Sequence, residues 1–133
     1  MLYGDPGVGK TMIARAIAKE ANVKFIYQNG SNFDELYVGQ GSRRVRNLFE
    51  KAKELKPCII FIDEIDSLLA KTKRRTEDSS SRSTVNNFLS EMDGFEKNEK
   101  ILVFGATNYI DSIDDAAIRP GRFDSKIHIP KPD

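Results

Sequence analysis

With 133 residues, Lys+Arg 21, Asp+Glu 20 and a formal net charge of +1, the chain has room for one domain with a real core. That charge balance argues against a general nucleic-acid surface, which carries a basic excess or stripe. No apolar run nears the length that spans a bilayer and no signal-peptide pattern opens the chain, so the expectation is a chain soluble as given, with no membrane segment.

Met1-Leu2-Tyr3 are the first β-prone residues. Strands usually run to about five or six residues, so three are too few, and the expectation is either an internal start or a first strand that has lost its beginning. The stretch that follows, GDPGVGKT from Gly4 to Thr11, fits GxxxxGK[ST]. Its glycines let the backbone curl so that N–H groups face phosphate oxygens, and Pro6 stiffens the loop. The loop runs into a helix whose positive N-terminal end adds to an anion site. Lys10 can reach β- and γ-phosphates and the Thr11 hydroxyl can ligate Mg²⁺. A glycine-rich turn matching by chance is the bland alternative; the demand for Lys and Thr in sequence favours a nucleotide triphosphate site, with contacts expected from Gly4, Asp5, Pro6, Gly7, Val8, Gly9, Lys10, Thr11 and Met12.

Met12, Ile13, Ala16, Ile17 and Ala21 predict the apolar face of the helix after the loop, with Arg15, Lys19 and Glu20 opposite. The helix is expected to end near Asn22, and Val23 to Tyr27 reads as a strand. Asn29 to Ser42, punctuated by Gly30, Gly39 and Gly41, reads as a loop with at most one helical turn. Within it Leu36-Tyr37-Val38-Gly39 forms an apolar and aromatic tip, and the sequence leaves open whether Tyr37 tucks into the core or is held out to grip something. From Ser42 onward Val45, Leu48, Phe49, Ala52 and Leu55 recur at helical spacing, with Arg43, Arg46, Glu50, Lys53 and Glu54 facing away, until Pro57.

Cys58-Ile59-Ile60-Phe61-Ile62 is a continuous apolar run, as a strand buried on both faces of a parallel sheet requires. The single cysteine excludes an internal disulfide and reads as a core residue in a reducing compartment. Asp63-Glu64 emerge at the carboxyl end of this strand, where ligands of such sheets bind. Asp63 is placed to hold Mg²⁺ and Glu64 to take the proton of an attacking water, the alternative being an ordinary acidic helix start. The upstream phosphate loop favours the first reading. Lys71 to Ser83 holds no apolar residue and reads as a mobile loop. Val85, Phe88, Leu89 and Met92 mark a further amphipathic helix, capped at Gly94. Ile101 to Phe104 predicts a fourth buried strand, ending in Gly105-Ala106-Thr107-Asn108. Asn108 then either orients the water or γ-phosphate or is a plain turn asparagine. Arg119 and Arg122 flank a Pro-Gly turn, suited either to a γ-phosphate or to surface salt bridges. Lys126 to Ile129 supplies a fifth short strand, in which His128 reads as a residue of the less buried face that cannot build a zinc site alone. Pro130 to Asp133 reads as a linker. Together these elements make an α/β domain with a mainly parallel sheet.

GDPGVGKT, IIFIDEID (Ile59 to Asp66), GATN (Gly105 to Asn108) and IRPGRFD (Ile118 to Asp124), in that order over essentially the whole chain, resemble the AAA+ ATPases, specifically the AAA clade. The resemblance implies a three-layer αβα P-loop domain with a five-stranded sheet of order 5-1-4-3-2, ATP with Mg²⁺, and hexameric rings with sites at subunit boundaries. It also implies that Asn108 is the sensor-1 residue and that Arg119 and Arg122 are arginine fingers for the neighbouring subunit. The segment LYVGQGSRRVRNLFEKAKELKPCIIFIDEID looks most like the FtsH-type AAA proteases, in which Tyr37-Val38-Gly39 would be the pore loop that grips an unfolded or tagged protein substrate. Asp93-Gly94-Phe95 matches that group's intersubunit signalling element. An organelle or bacterial inner membrane is the implied location of the full-length protein.

Four departures qualify the match. Asp5 stands where the family usually has proline, and a carboxylate beside phosphates weakens anion binding unless it turns to solvent. The helical lid is absent, and so are a transmembrane segment and the HExxH zinc motif, so peptidase activity is not assigned to these residues. The expected unit is therefore residues 1–133 as a large AAA ATPase subdomain with a truncated first strand. Its expected function is ATP hydrolysis coupled to unfolding and translocation of proteins, as the motor of an FtsH-like protease. The alternatives are an AAA unfoldase without protease and a nucleotide-binding module with no turnover.

Overall fold

A computed structural model of the chain describes residues 1–4, 9–33, 40–69, 79–94, 100–113, 118, 123 and 127–129. Five strands, β1 (Leu2–Tyr3), β2 (Lys24–Asn29), β3 (Cys58–Asp63), β4 (Ile101–Thr107) and β5 (Ile127–His128), form one sheet of order β2-β3-β4-β1-β5. Every neighbouring pair is parallel, so the predicted order 5-1-4-3-2 stands, read from the opposite edge. The helices are α1 (Lys10–Ala21), α2 (Gln40–Leu55), the single turn α3 (Asp66–Leu69) and α4 (Ser79–Asp93), with 3-10 turns at Gly30–Phe33 and Ile110–Ser112.

β3 explains the layering. All five of its residues from Cys58 to Ile62 are buried, and alternate side chains go to opposite faces. Cys58, Ile60 and Ile62 join the larger core with Val45, Leu48, Phe49 and Ala52 of α2 and Phe88 and Leu89 of α4. Phe61 joins the smaller one with Leu2, Ala14 and Ala106. Helices thus cover both faces. α2 presents its predicted stripe inward and leaves Arg43, Arg46, Glu50, Lys53 and Glu54 exposed, an amphipathic solution that packs it on the sheet and on α4. Phe88 anchors that layer, its ring edge-on to Phe49 at 5.5 Å and stacked on Phe123 at 6.4 Å.

Three expectations are corrected. The apolar residues of α1 do not form its buried face: Met12 is 75% and Ile17 41% exposed, Ala16 and Ala21 are exposed, and Ile13 is half-buried. The buried face is instead Lys10, Ala14 and Ala18, one residue per turn. Two methyl-sized side chains at i and i+4 let the helix backbone lie close to the sheet, and close approach decides burial here over hydrophobicity. Residues 79–83, expected in a loop, open α4. Once Phe88 and Leu89 are packed, propagating the helix backwards through serines costs little. Smaller shifts extend β2 to Asn29 and β4 to Thr107 and start α2 at Gln40; in β4 the expected burial of Ile101 to Phe104 falls instead on Gly105 to Thr107, Leu102 being 50% exposed, while His128 is exposed as expected and lies 5.1 Å from the Tyr3 ring.

Candidate functional site

Parallel strands deliver their carboxyl ends to one edge of the sheet, and the registers Asn29↔Asp63, Ile62↔Gly105 and Tyr3↔Thr107 bring four of those ends level. Gly4 follows β1, Gly30 follows β2, Glu64 follows β3 and Asn108 follows β4. In an open α/β sheet this edge is where a ligand binds.

Gly9 turns the chain into α1 at φ 90 and ψ 22, a left-handed conformation that favours glycine, and its carbonyl accepts from Ile13 N–H at 3.0 Å. Lys10, the first residue of α1, is only 8% exposed. A buried ammonium needs partners. Its Nζ donates to the Gly4 carbonyl at 3.0 Å and to Asn108 Oδ1 at 2.8 Å, which draws the phosphate-loop lysine and the end of β4 together. Thr11 is half-buried beside it, while Met12 points outward.

Asp63 projects from β3 with the parity of Phe61, hence toward the face on which α1 packs. Each carboxylate oxygen takes one donor: Glu64 N–H to Oδ1 at 2.9 Å and the Tyr27 hydroxyl to Oδ2 at 3.1 Å. Tyr27 pairs with Phe61 across the β2–β3 ladder and stacks on it with centroids 6.0 Å apart, which aims its hydroxyl one pleat forward at Asp63. Partial burial first, then the negative Asp63 and the hydrogen bond to it, push the Tyr27 hydroxyl above its usual pKa. Glu64 is exposed and sits at φ 48, a left-handed conformation rare for glutamate, fixed on its far side by Ile65 N–H donating to Ala106 O at 2.9 Å.

A second link ties the ends of β3 and β4. The hydroxyl of Thr107, 1% exposed, donates to Asp66 Oδ1 at 2.8 Å and accepts from Tyr109 N–H at 2.9 Å. It closes the backbone on either side of Asn108.

The structure therefore brings Gly4, Gly9, Lys10, Asp63, Glu64 and Asn108 to one edge. Asp5, Pro6, Gly7, Val8, Tyr37, Val38, Gly39, Arg119 and Arg122 lie outside the described residues. Sequence reasoning missed Tyr27, Thr107 and Asp66. Their contacts join neighbouring strands, and only alternation along β2 hinted that Tyr27 shares a face with Phe61. Among the described residues no group of three or more His, Cys, Asp or Glu could cage a metal. Asp63 and Thr11 offer hard oxygens on the α1 side of the sheet, a donor set that fits Mg²⁺ arriving with substrate phosphates.

A family model described as "ATPase family associated with various cellular activities (AAA)" matches residues 1–131. The chain is 56% identical over 133 residues to the "ATP-dependent zinc metalloprotease YME1 homolog" of Caenorhabditis elegans, covering all of this chain and 18% of that protein. It is 52% identical to the human "ATP-dependent zinc metalloprotease YME1L1", of which it covers 17%, and 53% identical to the "ATP-dependent zinc metalloprotease FtsH" of Ureaplasma parvum, of which it covers 18%; both matches span the whole of this chain. The chain thus spans less than a fifth of these relatives.

Proposed function

Since the chain belongs to the AAA family of ATPases, we propose that it binds ATP with Mg²⁺ at the strand edge, hydrolyses it, and serves as the motor of an FtsH-like ATP-dependent protease. The observation that carries this is the meeting of Lys10 and Asn108 at the edge where Asp63 and Glu64 also emerge.

In this reading Lys10 exchanges an uncharged oxygen partner for β- and γ-phosphate oxygens, a stronger charge-assisted bond. Asp63 and Thr11 hold the cation, which when bound offsets charge on the phosphates. Glu64, exposed at the crevice, accepts the proton of the attacking water, and Asn108 orients that water or the γ-phosphate. Arg119 and Arg122 reach the nucleotide of a neighbouring subunit in a hexamer, and Tyr37-Val38-Gly39 grip the polypeptide being unfolded. Residues 1–133 act as the large ATPase subdomain, and the full-length protein works at an organelle or bacterial inner membrane. Among the described residues no helix is long and apolar enough to cross a membrane, and no peptidase residues are assigned to this chain.

Glu64→Gln tests the mechanism. It is expected to keep ATP binding and to lower phosphate release by about 10²–10⁴-fold. Unchanged turnover would overturn the assignment, and ATP binding without release by the parent chain at every concentration would favour a nucleotide-binding module instead.

A further inference from the structure

The hydroxyl of Tyr27 is the one described side chain that the proposed chemistry leaves unused yet that bonds directly to the carboxylate proposed to hold the cation. Its ring is fixed by stacking on Phe61 in the neighbouring strand, and 42% of the residue stays exposed. A ring held this way has one free act, to direct its hydroxyl, and the hydroxyl is directed at Asp63 Oδ2.

Among the described residues, the Glu64 N–H and the Tyr27 hydroxyl are the donors to the Asp63 carboxylate. Rotation about its last torsion is broad for a carboxylate. The Glu64 N–H pins Oδ1 and the Tyr27 O–H pins Oδ2, so the two donors together define one orientation while leaving lone pairs on both oxygens for a cation. Partners of this kind set the direction and basicity of a metal ligand.

We propose that Tyr27 is a positioning residue for Mg²⁺, holding the Asp63 carboxylate in the plane from which it meets the magnesium of a bound nucleotide. This rests on the reading of Asp63 as the residue that holds the cation.

Tyr27→Phe keeps the ring and its stacking and removes one oxygen. The test titrates a fluorescent ADP analogue into the 133-residue chain, first in EDTA and then over a series of Mg²⁺ concentrations. Tyr27→Phe and Asp63→Asn are compared with the parent. The expected result is that Tyr27→Phe binds nucleotide like the parent in EDTA but needs about tenfold more Mg²⁺ to reach the tight-binding state, with Asp63→Asn shifted at least as far. A fold defect would instead weaken binding in EDTA too, and that result overturns the proposal. A parent-like Mg²⁺ midpoint for Tyr27→Phe, beside a shifted Asp63→Asn, overturns the role of Tyr27 alone. Parent-like midpoints for both overturn the reading of Asp63 and the proposal with it.

Discussion

Lys10 and Asn108, 98 residues apart in the chain, meet at 2.8 Å, so the residue opening α1 and the residue that follows β4 share one hydrogen bond. On the proposed reading, nucleotide draws the ammonium away from that amide, which divides the two roles. Lys10→Ala is expected to lower nucleotide affinity by at least about tenfold, the worth of a charged hydrogen bond. Asn108→Ala is expected to leave affinity within about threefold and to lower turnover by about 10²-fold, as loss of a transition-state donor does. A nucleotide titration beside a phosphate-release assay checks both, and equal loss of binding in the two variants would contradict the division.

Gly30 and Gly105 differ in what a methyl group would strike. A Cβ at Gly30 falls on the backbone carbonyl of Glu64, with Ile65 Cα at 3.3 Å. At Gly105 it meets Ile65 Cδ1 at 2.6 Å, with Ile65 Cγ2 and Phe123 Cε1 at 3.3 Å, all of them side-chain rather than backbone atoms. Gly30→Ala should therefore cost about 3 kcal/mol and Gly105→Ala about 1 kcal/mol, the span usual for overpacking. Urea unfolding measures both. Equal losses would mean that the Glu64 peptide yields as readily as a side chain.

Thr107→Val removes a hydroxyl but little volume, leaving the Tyr109 N–H and Asp66 without that partner. A loss of about 1–3 kcal/mol is expected, with Thr107→Ser restoring most of it. If serine is no better than valine, the methyl group rather than the hydroxyl holds the turn.

Cys58 is 2% exposed, and burial pushes its thiol above the ordinary pKa, so the reactive thiolate is scarcer at any pH than in an open chain. Iodoacetamide is expected to label it slowly in the folded chain and fast in denaturant. Fast labelling under native conditions would show that the start of β3 opens readily.

Much of this was legible beforehand, for reasons that differ by element. The run from Cys58 to Ile62 announced a strand buried on both sides because nothing polar interrupts it, and Asp63 and Glu64 then followed at its carboxyl end. Gly4, Gly9 and Lys10 bound a pattern of residue types that few other conformations need, and Gly9 and Lys10 do open α1, while residues 5–8 lie outside the described residues. α1 misled because counting apolar residues favours Met12 and Ile17, whereas burial went to alanines small enough for close approach. Tyr27 was silent because its significance lies in standing opposite Phe61, a register that no single segment encodes.

That close approach binds packing to chemistry. Ala14 and Ala18 lie one and two turns behind Lys10 on the same buried stripe, at 0% and 2% exposure. A longer side chain at either position would wedge the helix away from Phe61 and lift its first turn, carrying the ammonium off the strand edge. Two methyl groups thus act as a depth gauge for a charge further along the same stripe.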